Sequence, residues 1–181
     1  MSDLRLRKRH RLRQKEIAAI SSRLDESLGT RTFSELEAVD MAEAPNFDVI
    51  FVGGKILAFV LDSVPFLTVR GLLRYGATKR FVTVDMGAVK FVYNGADVMG
   101  PGIVEADPAI SSGDLVWIRD MKNNQPLAIG RAIYTAQQMV LKEKGKAVSS
   151  IHHVGDKLWA VDELKEKTEG SDDQVVDEEA E

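Results

Sequence analysis

The run VDMGAVKFVYNGADVMGPGI, Val84–Ile103, contains several structural signals close together. A β-branched, apolar strand candidate at Phe81–Asp85 leads into it, and Ala88–Tyr93 then has the character of a short helix. Two turn signals follow, at Asn94-Gly95 and at Pro101-Gly102. The run therefore predicts a strand, a short helix, a glycine turn and the entry to a further strand, in that order.

Short strands continue after this run. The candidates Leu115–Arg119, Leu127–Ile133 and Lys157–Val161 are separated by turn signals, and a second helical piece lies near Ala136–Leu141. Many short strands at even spacing favour a small barrel or sandwich. After Val161 the apolar content collapses and acidic residues dominate, so we expect the rest of the chain to be disordered.

The chain begins with a different pattern. Leu4–Arg7 alternates apolar and basic residues, which is typical of a strand with one buried face. Apolar residues then recur at helical spacing over Ile17–Leu28, and Gly29 is a suitable C-terminal stop. A weaker extended segment lies around Leu36–Ala44.

A hairpin and a short helix complete the first half. Phe47–Val52 and Lys55–Leu61 are strand candidates separated by Gly53-Gly54, a pair that suits a turn with two positive φ angles. Pro65 is predicted to begin the helix and Gly76 to end it. The first half thus predicts a small antiparallel sheet with a helix at each end.

Charge is distributed unevenly along the 181 residues, which carry a formal net charge of −4. Residues 162–181 contain ten acidic side chains against two lysines, whereas the chain opens with a basic arm that includes Arg5, Arg7, Lys8 and Arg9. Such a charge asymmetry is typical of proteins that bind nucleic acids. A solvated basic surface and a solubilising acidic tail explain the charges equally well. The chain has no cysteine, which excludes disulfides, thiolate zinc sites and cysteine nucleophiles.

The second half resembles the PUA domain, an RNA-binding module named for pseudouridine synthases and archaeosine transglycosylases. The resemblance begins with the run Val84–Ile103 and continues, in the order of the family, through Gly113–Ile118, Pro126–Ala132, Lys144–Val148 and Gly155–Trp159. The chain departs from the family pattern at Gly100, where a basic or larger residue is frequent.

The first half resembles the pre-PUA domain of one subfamily. Arg9–Leu12, the Gly53-Gly54 hairpin and Pro65–Leu73 carry this resemblance. The subfamily includes the malignant T-cell-amplified proteins and the first part of ligatin, which act on the small ribosomal subunit in translation initiation, reinitiation and recycling. The chain is most similar to its stand-alone archaeal members.

These resemblances imply an α+β protein with three segments. A small pre-PUA-like α/β domain is expected at residues 1–77, a PUA β-barrel-like domain at 78–161, and an acidic disordered tail at 162–181. They also imply a non-catalytic, cytoplasmic protein that binds structured RNA, tRNA or rRNA, with the small ribosomal subunit as an expected partner and no membrane association. No metal and no cofactor are expected.

The resemblance and the basic arm together predict the RNA-binding residues. They are Lys90, Asn94, Gly95, Ala96, Asp97, Val98, Met99, Pro101, Gly102, Lys144 and Lys146, with Arg5, Arg7, Lys8 and Arg9 from the arm. Gly95 lets the backbone approach a phosphate or sugar, and turn amides can donate to phosphate oxygens. Glutamate at Lys90 or Gly95 is expected to weaken RNA binding without unfolding the domain, because both positions are expected to be exposed.

Two other functions stay open. PUA domains often accompany RNA-modifying enzymes, so the chain can be an accessory protein of RNA modification, and its tail or first domain can also dock a protein as an adaptor. The sequence contains no motif that supports a catalytic function. Val52–Lys55 lacks the spacing of a phosphate-binding loop, and the adjacent His152 and His153 of a strand face opposite ways, which prevents them from sharing one metal.

Overall fold

The computed structural model describes residues 4–34 and 37–162, which form two sheets. The first sheet contains five antiparallel strands paired in chain order, namely β1 (Arg7–Arg11), β2 (Val39–Glu43), β3 (Asp48–Val52), β4 (Lys55–Leu61) and β5 (Val64–Leu67). Two helices belong to this half, α1 (Gln14–Leu28) and α2 (Val69–Tyr75).

The second sheet forms a near-closed barrel. Its strands are β6 (Phe81–Val84), β7 (Val98–Met99), β8 (Ile103–Ala106), β9 (Leu115–Asp120), β10 (Pro126–Ala132) and β11 (Lys146–His153). They are arranged β7-β11-β10-β9-β6-β8, with β6 and β9 parallel and the other pairs antiparallel. Helices α3 (Met86–Tyr93) and α4 (Ala136–Val140) lie between these strands, and α5 occupies residues 157–162. The α+β fold class is therefore confirmed.

The hairpin and the first helix form as the sequence predicts. Gly53 and Gly54 join β3 to β4 with φ angles of +59° and +88°, a conformation that favours glycine. Helix α1 buries Leu24 and Leu28 and ends at Gly29, whose φ of +64° lies in the left-handed region. Of the described residues, no helix has the length and the apolar composition needed to cross a membrane.

The prediction that Pro65 begins a helix is wrong. Pro65 lies in β5, opposite Val60. Strand β5 is at the edge of its sheet, where a residue without a backbone N–H is tolerated. The helix begins later, because the Thr68 hydroxyl accepts a hydrogen bond from the Gly71 N–H (3.1 Å) and caps α2.

Two strand predictions at the ends of the chain are also wrong. Strand β1 begins at Arg7, whereas Leu4 and Leu6 pack against the outer face of the first sheet. Residues 157–162 form a helix because Asp156 precedes them and its carboxylate accepts the Trp159 N–H (2.9 Å), an N-cap arrangement. Asp162, assigned to the disordered tail, lies in this helix, and residues 163–181 lie outside the described residues.

The two halves share one hydrophobic core. Leu115, Trp117 and Ile129 of the second sheet are buried in the same cluster as the residues of β3, β4, α1 and α2. A second cluster fills the barrel, and a third covers the outer face of the first sheet, where Leu158 of α5 packs with Phe51. Helix α5, at the end of the predicted PUA domain, thus packs on the first sheet.

A buried histidine also connects the halves. His152 of β11 is 2% exposed, and its Nε2 accepts the N–H of Val69 at the start of α2 (3.2 Å). Its Nδ1 lies 2.8 Å from a carboxylate oxygen of Asp156. Because Nε2 accepts the Val69 N–H, Nδ1 is the nitrogen that faces the Asp156 carboxylate.

Candidate nucleic-acid interface

Helix α3 presents a surface of mixed character. The Asp85 carboxylate accepts the Ala88 N–H (2.9 Å) and caps the helix, and Val92 is buried in the barrel. Lys90 and Tyr93 are exposed, and Phe91 keeps 63% of its side chain accessible. The helix therefore holds a cation and two aromatic rings toward solvent.

The turn after α3 has a backbone conformation and a close contact that require glycine at position 95. Gly95 has a φ of +97°, and a Cβ added there would lie 2.7 Å from Nε2 of His153. Gly95 is half-buried, so the prediction that this position is exposed is wrong. Both the positive φ and the histidine ring oppose a side chain at this position. Next to it, Asn94 donates from its amide to the Lys90 carbonyl (2.9 Å), and Ala96 is exposed.

Two lysines lie beside this turn. Lys146 pairs in register with Met99 of β7, and its Nζ is 2.9 Å from a carboxylate oxygen of Asp97. The other oxygen of Asp97 accepts the Ser150 N–H (2.8 Å). This hydrogen bond, together with Lys146, lowers the pKa of Asp97. Lys144 is exposed in the same loop, and its carbonyl accepts the Tyr134 hydroxyl.

The loop that carries the lysines approaches Gly100 closely. The Gly100 N–H donates to the carbonyl of Gly145 (2.9 Å), and a Cβ on Gly100 would lie 1.7 Å from the carbonyl oxygen of Glu143. The departure from the family pattern at Gly100 therefore has a steric cause. Pro101 is exposed and Gly102 half-buried in the same 3₁₀ turn.

We expect Gly100→Ala to lower the free energy of unfolding by about 1–3 kcal/mol, because the new methyl group displaces a backbone carbonyl. Gly87→Ala is the matched control, since Gly87 is an exposed residue of α3 and its Cβ would meet only the Asp85 side chain, at 3.3 Å. Alanine there should change stability by less than about 1 kcal/mol in either direction, because the gain in helix propensity opposes the close approach to the capping Asp85. Urea unfolding measures both changes, and equal stability of the two variants would contradict the steric account.

The structure brings most of the predicted residues of the second half onto one surface. We call this surface, formed by α3, the turn after it, β7 and the Lys144 loop, the signature surface. Val98 differs from the others because its side chain is 3% exposed and packs in the barrel core. Its side chain packs beneath β7 in the barrel and is not accessible to a ligand.

The basic arm belongs to a different sheet. Arg9 lies over the ring of Phe51, with 3.8 Å from its guanidinium carbon to the ring centre, and donates to Asp40 (3.0 Å). Lys8 approaches Glu43 at 3.8 Å. Arg5 and Arg7 are exposed and form no ion pair with another described residue. The arm thus retains positive charge, but apart from the signature surface.

Sequence reasoning missed several exposed apolar side chains. Phe91 is exposed on the signature surface, where only Met99 had been predicted among the apolar exposed residues, and Val140 and Leu141 are exposed at the end of α4, with 74% of Leu141 accessible. Leu141 and Val140 precede the loop that meets Gly100. Helical spacing contained part of the signal, because a face that buries Val92 leaves Phe91 outside.

Known proteins that are similar to this chain include members of the PUA family. Residues 80–154 match the family model described as the PUA domain. An uncharacterised protein of Methanocaldococcus jannaschii is 35% identical over 158 residues, which cover 86% of this chain and 98% of that protein. Translation machinery-associated protein 20 of Eremothecium gossypii is 28% identical, with 75% and 76% covered.

A solved structure shares the same fold over nearly its full length. The crystal structure of a hypothetical protein from Pyrococcus horikoshii superposes with a TM-score of 0.73 at 34% identity, covering 85% of this chain and 99% of that one. The fold and the signature surface define a PUA-domain protein. Within that class, the chain belongs to the family that unites archaeal PUA proteins with the malignant T-cell-amplified and translation machinery-associated proteins.

Proposed function

We propose that this protein is a non-catalytic RNA-binding protein that acts with the small ribosomal subunit in translation initiation or recycling. The observation that carries the proposal is the signature surface, on which Lys90, Lys144 and the ring of Phe91 are all exposed. The names of the relatives support the cellular process, since they include a translation machinery-associated protein and eukaryotic translation initiation factor 2D.

The chemistry of the surface suits structured RNA such as tRNA or rRNA. The lysines pair with phosphates without reading sequence, and the exposed rings of Phe91 and Tyr93 provide faces on which unpaired bases stack. Because the deep groove of an RNA duplex excludes side chains, loops and strand ends are the parts that such a surface can contact. Arg5 and Arg7 provide additional phosphate contacts from the arm.

Exposed apolar side chains support a second candidate, a protein-interaction adaptor. Leu141 and Val140, just before the lysine loop, are 74% and 62% exposed, and exposed apolar side chains of this kind are typical of protein contacts. The two functions are separable. Crosslinking in cell extract, followed by sequencing of bound RNA, supports the first function if tRNA or rRNA is recovered and the second if only protein is recovered.

We expect Lys90→Glu and Lys144→Glu each to weaken binding of purified protein to tRNA by about tenfold, because a phosphate contact is lost and a repulsion added. Lys122→Glu is the matched control, since Lys122 is also exposed but lies in the turn between β9 and β10. Fluorescence anisotropy measures the affinities. Parental affinity in both variants, with the fold intact, would contradict an RNA interface on the signature surface.

A further inference from the structure

A cavity of about 520 Å³ lies where the first sheet meets the end of β11. Its walls come from the residues before β1, the turn between β2 and β3, strand β4, and the segment from β11 into α5. The apolar side chains of the wall are Leu4, Pro45, Phe47, Phe59, Ile151 and Leu158. Its volume is within the range of small-molecule sites, about 300–1,000 Å³.

The polar groups in the cavity fall into two sets. His152 and Asp156 bind each other, and Asp156 also accepts the backbone N–H groups of His153 (3.0 Å) and Trp159 (2.9 Å). Burial raises the pKa of Asp156, but these hydrogen bonds, the largest from His152, outweigh it and lower the pKa. The second set consists of exposed residues of the lining, namely Arg5, Asn46 and Lys157.

We infer that this cavity binds an unpaired nucleotide of an RNA strand, an inference that rests on the proposed function. An apolar chamber with a cation at its mouth suits a flat apolar body joined to an anion, which describes a nucleobase and its phosphate. The Asn46 amide both donates and accepts, as the edge of a base requires. Arg5 pairs with the phosphate, and the neighbouring Arg7 extends the positive charge along the backbone of the strand.

Two adjacent residues of β11 contact the cavity and the signature surface, one each. His152 lines the cavity, whereas the ring of the next residue, His153, lies against Gly95. Strand β7 pairs with β11 only in the register of Lys146 and Val148, so the end of β11 lies beyond that pairing. Because adjacent residues of a strand face opposite ways, the cavity and the signature surface lie on opposite sides of the end of β11, and a strand of RNA that contacts both has to cross the edge of β11.

The test compares two probes of equal charge, a single-stranded hexa-adenylate and a hexamer of abasic ribose phosphates. The parent protein should bind the hexa-adenylate about tenfold more tightly, since each stacked base contributes about 1–3 kcal/mol. Ile151→Phe fills the floor of the cavity and should reduce this preference to about threefold or less, with little change for the abasic probe. A 2-aminopurine base in the adenylate, whose fluorescence reports its surroundings, should then lose its change of signal.

Asn46→Asp is the second variant, because Asn46 is exposed and the substitution preserves its shape while it replaces the amide donor with a carboxylate, whose repulsion of phosphate affects the abasic probe equally. It should weaken adenylate binding about tenfold, and Asn123→Asp, the same change in an exposed turn between β9 and β10, should not. Full base preference in both folded cavity variants overturns the inference, and so does equal loss in the Asn123 control. A parent that binds neither these probes nor tRNA overturns the proposed function instead.

Discussion

Replacing Asp162 with alanine is expected to lower the free energy of unfolding by about 3–5 kcal/mol, the range for breaking a buried ion pair. Asp162 is 1% exposed, and one carboxylate oxygen accepts the N–H of Ile56 (2.9 Å) and lies 3.6 Å from Nε of Arg70. Arg70 in turn stacks on Trp159 at 3.8 Å. The substitution removes this carboxylate from a buried guanidinium and a buried amide, and each loss is costly.

Equilibrium unfolding in urea measures the effect. Glu105→Ala is the control, because Glu105 forms an ion pair with Arg119 (3.6 Å) but is 61% exposed. An exposed ion pair contributes about 0–1 kcal/mol, so this variant should unfold close to the parent. A loss below about 1 kcal/mol in Asp162→Ala would show that α5 does not hold the first sheet in place.

Raising the salt concentration from 50 to 200 mM is expected to weaken tRNA binding about 50- to 150-fold, if four cations each neutralise one phosphate. The four are the exposed side chains of Arg5, Arg7, Lys90 and Lys144. Lys146 is not included, because its ion pair with Asp97 already compensates its charge. Each neutralised phosphate releases condensed counterions, and added salt opposes that release.

Anisotropy titrations at several KCl concentrations give the slope of log affinity against log salt. We expect Lys90→Glu to reduce the magnitude of this slope by about one, because one phosphate contact disappears. Lys122→Glu, in a turn away from the signature surface, should leave the slope unchanged. Binding that does not respond to salt would contradict an electrostatic interface.

Local patterns in the sequence predicted the elements whose cause is local. The Gly53-Gly54 turn, the end of α1 at Gly29 and the helix of the signature run depend on backbone preferences of a few residues, and the structure contains all three. The resemblance to the PUA family is confirmed by the match over residues 80–154.

Long-range contacts decided what the sequence did not predict. Asp162 lies in a highly acidic stretch, and its partners Ile56 and Arg70, far away in the chain, explain why it is buried. Pro65 resembles a helix start until its pairing with Val60 at a sheet edge is known. The burial of Gly95 was not predicted because the neighbouring His153 is distant in sequence. The division of the chain near residue 77 stays a prediction, and the shared core shows that the two sheets pack together.

The position of α5 also has a consequence for synthesis on the ribosome. The first sheet is complete in sequence at Leu67, yet the outer face around Phe51 is covered by Leu158, which is translated long afterwards. During that interval the nascent chain carries an uncovered apolar face, a feature that makes folding intermediates prone to aggregate. Native packing of this sheet is therefore completed only after the barrel has been synthesised, and a ribosome that stalls within the barrel leaves a sheet that chaperones must protect.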